Sequence, residues 1–170
     1  MLSTMTSHNN HFNENSSPQL RFKAQLKSLT RQISGRALDS TLEEWLNTHA
    51  GPESEIYQNL KASCLEGVSQ AWLCNREGGG IKYGRVFKAN EDLDGFSVDV
   101  VEMENIAGPH HTHPQGEIDL IMPIEGEARF DNHPAGWKVY PEQSSHQPTV
   151  SLGRALILYL LPNGAIEFTK

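Results

Sequence analysis

Apolar residues along the chain follow two different periodicities, and the change falls near residue 80. Upstream, Leu20, Phe22, Leu26, Leu29 and Ile33 lie largely on one stripe of a helix that opens at Pro18 and stops at Gly35. Ser40, followed by Thr41 and Glu43-Glu44, predicts a second, short helix carrying Leu42, Trp45 and Leu46 and ending near Gly51-Pro52. Ile56, Leu60, Cys64, Val68, Ala71 and Trp72 recur every three or four positions and predict a third helix, closed by Gly78-Gly79-Gly80. Downstream the segments are short and punctuated by Gly, Pro, Asn or Asp. They are 82–87, 96–103, 117–122, 128–131, 137–140, 146–150, 155–161 and 166–169. Such spacing predicts an antiparallel sandwich or barrel, with the helices packed outside it or extending a subunit interface.

The predicted organisation is therefore a tail over 1–17, a helical segment over 18–78 packed on the barrel, and the barrel itself over 79–170. The tail is rich in Ser, Asn, Thr and His and too poor in apolar groups to offset its ordering entropy, which predicts disorder. Its His8 and His11 are read as solvated.

The 14 basic and 21 acidic residues give a net charge of −7, and no two Lys or Arg are adjacent, which argues against a nucleic-acid or anionic-membrane partner. The longest apolar run, Ala155 to Leu161, spans seven residues, against the ~20 needed to cross a bilayer as a helix. The first seventeen residues hold no Lys, Arg or apolar stretch, so no secretory or transit signal is expected and the cytoplasm is the default location. Cys64 and Cys74 form no CxxC pattern and are expected to be reduced, structural thiols on a helix.

The chemistry concentrates between positions 110 and 146, which hold five of the eight histidines. His111 and His113 are separated by one residue, so in an extended chain both project to the same side and can share an ion. Glu117 follows a Pro114/Gly116 turn and can return an oxygen ligand to that point. His146, at the entry to a later strand, can supply a third imidazole. Three imidazoles and one carboxylate make a mixed nitrogen and oxygen site suited to Fe, Mn, Zn, Ni or Cu. The other reading of Glu117 is an acceptor that fixes a histidine tautomer.

Asp119 shares strand parity with Glu117 and is a candidate base or ligand-orienting group. His110 and His133 are read as peripheral, the latter in a turn over Asp131-Asn132-His133-Pro134. Arg85, Arg129 and Arg154 are candidates to clamp a carboxylate bidentately. Trp137, Tyr140, Tyr159 and Phe130 are candidates to wall an aromatic ring or to fill the barrel core.

His-x-His, three residues, Glu, and a later Pro-x-x-x-x-His together resemble the two-motif signature of the cupin superfamily. Position 143 is Gln where the second motif usually has Gly. The resemblance implies a mainly β fold, a cupin-type antiparallel jelly-roll barrel, with His111, His113, Glu117 and His146 as ligands to a divalent transition metal. The segments HHTHPQGEIDLIMPI, AGWKVYPEQSSHQPTVSLGRALILYLLP and NGAIEF are similar to the small cupin family that includes the 4-hydroxylaminobenzoate lyases of bacterial nitrobenzoate degradation. That implies a lyase that turns a small aromatic hydroxylamine acid into protocatechuate (3,4-dihydroxybenzoate) and ammonia, with Glu117, Asp119 or metal-bound water moving protons. By analogy with other cupins it also implies a homodimer. Two alternatives share the same site: a ring-cleaving dioxygenase, and a non-catalytic aromatic-acid-binding cupin.

Overall fold

The computed structural model describes residues 17–169. The predicted tail over 1–17 therefore lies outside the described residues except for Ser17, whose hydroxyl accepts from the Leu20 amide and caps the first helix. Three helices follow: α1 (Pro18–Ile33), α2 (Ser40–Ala50) and α3 (Glu55–Ser69). Asp39, rather than Ser40, caps α2 by accepting from the Leu42 amide at 3.0 Å, and Ser54 caps α3. Helix α3 ends earlier than the glycine run suggested. Ala71 takes the left-handed conformation, and the Trp72 and Leu73 amides turn back onto the Gly67 carbonyl. Cys74 consequently lies beyond the helix, while Cys64 lies within it; both are buried, and burial raises both thiols above their ordinary range.

Nine strands follow: β1 (Arg76–Gly78), β2 (Ile81–Phe87), β3 (Phe96–Ala107), β4 (His111–His113), β5 (Glu117–Phe130), β6 (Gly136–Tyr140), β7 (Ser144–His146), β8 (Thr149–Pro162) and β9 (Glu167–Phe168). They form a six-stranded sheet in the order β1-β2-β3-β8-β5-β6 and a three-stranded sheet in the order β7-β4-β9, and every pairing is antiparallel.

The large sheet is buried on both faces, which is why β8 reads as an unbroken apolar run. Leu156, Leu158 and Leu160 face the helices together with Leu120, Trp137 and Val139. Ala155, Ile157, Tyr159 and Leu161 face inward with Val101, Met103, Ile121 and Phe130. The helices are fixed to this sheet by polar contacts as well as by packing. Tyr57 Oη donates to the Ile121 carbonyl and the Trp137 indole donates to the Ala50 carbonyl, each at 2.8 Å.

Sequence punctuation split two strands that are continuous. Residues 117–122 and 128–130 are both parts of β5, which ends one residue short of the expected 131, and 149–162 forms the single strand β8; Gly126 and Gly153 mark a register shift within them, not a break. Gly153 sits at φ +146°, and a Cβ there would lie 2.0 Å from the Glu125 carbonyl oxygen. Gly153→Ala is therefore expected to cost roughly 2 kcal/mol or more, because backbone, not a movable side chain, opposes the methyl group. Urea unfolding measures this, and a wild-type midpoint would contradict it.

Candidate metal centre

The small sheet exists to face three imidazoles toward the large one. His111 and His113 lie on β4 with Thr112 between them, and His111 pairs in register with His146 of β7. Glu117 opens β5 after the Gly116 turn and approaches from the other sheet. The donor atoms of His111, His113, Glu117 and His146 all lie within 4.8 Å of one another, a group that could hold a metal ion. The loop that delivers His146 turns at Gln143, whose φ of 65° is the left-handed conformation glycine prefers. There the Gln143 amide donates to the His113 carbonyl at 2.8 Å and its side chain donates to the Pro114 carbonyl at 3.1 Å, which holds the turn without glycine.

Each imidazole is oriented through Nδ1. His111 Nδ1 donates to the Pro109 carbonyl at 3.3 Å and His146 Nδ1 to Asp131 Oδ2 at 2.5 Å. His113 Nδ1 lies 2.9 Å from Ser144 Oγ, whose own proton goes to the Pro141 carbonyl, so the hydroxyl accepts from the imidazole. A neutral imidazole that donates through Nδ1 carries its lone pair on Nε2, and the three Nε2 atoms converge. His146 Nε2 is 3.0 Å from His111 Nε2, and His113 Nε2 is 2.9 Å from Glu117 Oε2 without hydrogen-bond geometry. His113 Nε2 and both Glu117 oxygens are buried with no hydrogen-bond partner among the described residues. Buried lone pairs facing one another fit a cation between them, since donors ~2.1 Å from one ion and at right angles to each other are ~3 Å apart.

The electrostatics follow from burial and proximity. Burial would raise the Glu117 carboxyl, but the three imidazoles outweigh it and hold it well below the ordinary carboxylate range. Asp119 moves the other way: it is fully buried beside the charge of Glu117, and both effects push it well above that range. Neither of its oxygens has a hydrogen-bond partner among the described residues. Burial lowers His146, yet Asp131 and Glu117 prevail and push it up to about 9, so an ion would reach its Nε2 by displacing a proton.

A cavity of about 1090 Å³ adjoins the centre, with His111 in its wall beside Ile81, Met103, Tyr159, Arg85 and Phe168. Of the residues expected to hold a substrate, Arg85 and Tyr159 line it. Arg129, Arg154, Trp137, Tyr140 and Phe130 do not. Arg129 donates to the Asn132 carbonyl and Arg154 is clamped between Glu102 and Glu125, each at 2.6 Å. Trp137 faces the helices because its parity on β6 matches Leu120, not Glu117. Arg85 itself donates through Nε and Nη2 to Asp99 at 3.1–3.2 Å.

His110 points to Thr169 at the surface, and half-buried His133 pairs with Phe130 across its turn. Two cavity cations, Arg76 and Lys88, went unread in the sequence, as did Asp131 and Ser144 behind the histidines. For Asp131 the available signal, an Asp-Asn turn, spoke only of backbone.

An antiparallel two-sheet barrel enclosing a His-x-His, Glu and His donor set defines this protein as a cupin. Within that class, the chain belongs to the 4-hydroxylaminobenzoate lyase family: the PnbB 4-hydroxylaminobenzoate lyase model matches residues 24–168. A 4-hydroxylaminobenzoate lyase of Nocardioides sp. (strain LMS-CY) is 31% identical over 162 residues, covering 90% of this chain and 95% of that protein. A second, from Pseudomonas putida, is 27% identical over 154 residues, covering 81% and 88%. A solved structure of the DMSP lyases RdDddP and RnDddQII is similar at a TM-score of 0.55 and 12% identity, covering 90% of this chain and 98% of that one, which speaks for the fold. Membership makes the protein a lyase. Among the described residues, no helix is long and apolar enough to cross a membrane.

Proposed function

We propose that the protein is a metal-dependent lyase converting 4-hydroxylaminobenzoate and one water to protocatechuate and ammonia. The observation that carries this reading is the convergence of three Nε2 lone pairs and Glu117 beside a cavity large enough for an aryl acid. Family membership supplies the substrate class. The reaction is redox-neutral: the N–O bond breaks and its electron pair leaves on oxygen, water adds to the ring beside the nitrogen-bearing carbon, and hydrolysis at that carbon frees ammonia.

His111, His113, Glu117 and His146 would hold the divalent ion, which supplies Lewis acidity toward the hydroxylamine oxygen. The rest falls to the chain. Arg85, steadied by Asp99, receives the substrate carboxylate. Ile81, Met103 and Tyr159 flank the ring and keep water from its faces. Asp119, without a hydrogen-bond partner among the described residues and on the same strand face as Glu117, delivers a proton to the departing oxygen and recovers one from the added water.

Metal-loaded protein is expected to yield ammonia and protocatechuate in equal amounts from 4-hydroxylaminobenzoate, with no oxygen uptake. Turnover that consumes oxygen, or none with any of Fe, Mn, Zn or Ni, would overturn the proposal. Arg85→Gln is expected to raise KM by roughly 10–100-fold, the equivalent of one charge-assisted hydrogen bond. Arg154→Gln, outside the cavity, should leave KM unchanged, and equal effects of the two would contradict the assignment.

A further inference from the structure

The three histidines differ in what stands behind them. At Nδ1, His111 leans on a backbone carbonyl and His113 on a hydroxyl, whereas His146 alone among them meets a carboxylate there, that of Asp131. His146 is also the least enclosed of the three, with 10% of its side chain exposed against 4% and 0%, and it rides on an edge strand, whereas β4 is paired on both sides. Packing alone fixes it least.

Asp131 is itself held from several sides. Its Oδ2 accepts from the Tyr140 hydroxyl and from His146 Nδ1, each at 2.5 Å, and its Oδ1 accepts from the Thr149 amide at 2.9 Å. Its own amide donates to the Thr149 carbonyl at 2.9 Å. The backbone adopts φ +48° at Asp131 and +65° at Asn132, a tight two-residue reversal between Phe130 and His133. The Tyr140 ring packs on His146 and His113 with centroids 4.5 and 5.3 Å away. Its hydroxyl proton is committed to Asp131, so Tyr140 serves this network and not the cavity.

We infer that Asp131 is a positioning residue for the metal centre. By accepting the Nδ1 proton of His146 from a braced carboxylate, it fixes the tautomer and aim of that ring and makes its Nε2 the strongest nitrogen donor of the set. This rests on the metal reading of the site. A turn residue with a purely architectural duty would stabilise the hairpin and leave the ligand field alone.

Cobalt(II) separates the two. Its affinity for the full chain is measured by competition with a chelator, and its visible absorption reports ligand geometry, in wild type and Asp131→Asn. The amide can still accept from Nδ1 but lacks the charge. The inference predicts a 10–100-fold weaker affinity and shifted visible bands, with circular dichroism of the metal-free variant unchanged. Unchanged affinity, or unchanged bands, overturns the role of Asp131 while the metal centre stands. A wild type that binds no cobalt overturns the metal reading and this inference with it. If Asp131→Asn fails to fold, ¹⁵N-histidine spectra of the zinc-loaded wild type carry the test. His146, identified by its loss in His146→Ala, must show a protonated Nδ1 and a metal-bound Nε2, and the reverse assignment refutes the inference.

Discussion

Replacing His113 by Ala is expected to empty the metal centre and leave the barrel standing. His113 is fully buried, its Nδ1 is spent on Ser144, and its Nε2 has no hydrogen-bond partner among the described residues, so nothing but a ligand occupies that lone pair. Four-ligand structural zinc sites supply about 10–16 kcal/mol. A quarter of that is about 3–4 kcal/mol, or roughly 100–1000-fold in affinity. Chelator competition should show this loss, and turnover should fall with it. The metal-free variant should keep the wild-type far-ultraviolet spectrum, since the core beneath, from Ile121 to Leu161, is built without His113. A variant that binds metal as tightly as wild type would remove His113 from the donor set.

The second large effect has opposite signs in two assays. Asp119 is a fully buried carboxyl, neither of its oxygens hydrogen-bonded among the described residues, set against the charge of Glu117. Such a group costs stability, and retaining it makes sense only if the site uses it. Asp119→Asn keeps the shape and removes the ionisable proton. Turnover should fall by roughly 100-fold or more, the usual loss when a general acid or base is deleted. The metal-free protein should meanwhile become more stable by on the order of 1 kcal/mol in urea unfolding. A stable variant with full turnover would show that Asp119 takes no part in proton transfer. A destabilised one would mean the carboxyl has a structural partner.

What the sequence revealed and what it hid divide along physical lines. Period-two alternation is local, so His111 with His113 and Glu117 with Asp119 could be assigned to common faces from spacing alone. The helical stripes were equally local, and Phe22, Leu26, Leu29 and Ile33 are all buried. Long-range pairing was not visible. Gly126 and Gly153 read as breaks because a bulge and a turn use the same residue, and only the partner strand tells them apart. Whether Trp137 walls the cavity or fills the core depends on the register of β6 against β5, which turns it into the core against the helices. The arginines shared one residue type and one chemistry, and their separation came from carboxylates distant in the chain: Glu102 and Glu125 for Arg154, Asp99 for Arg85. Asp131 read as a turn residue, which it is, and its second duty arises only once β7 brings His146 alongside.

The proposed function requires one divalent ion among His111, His113, Glu117 and His146. Anomalous diffraction from crystals of the metal-loaded protein, collected on both sides of the metal's absorption edge, tests it directly. A single strong peak is expected about 2 Å from the three Nε2 atoms and one Glu117 oxygen. A peak elsewhere, or loaded crystals with no peak between these four side chains, would contradict it.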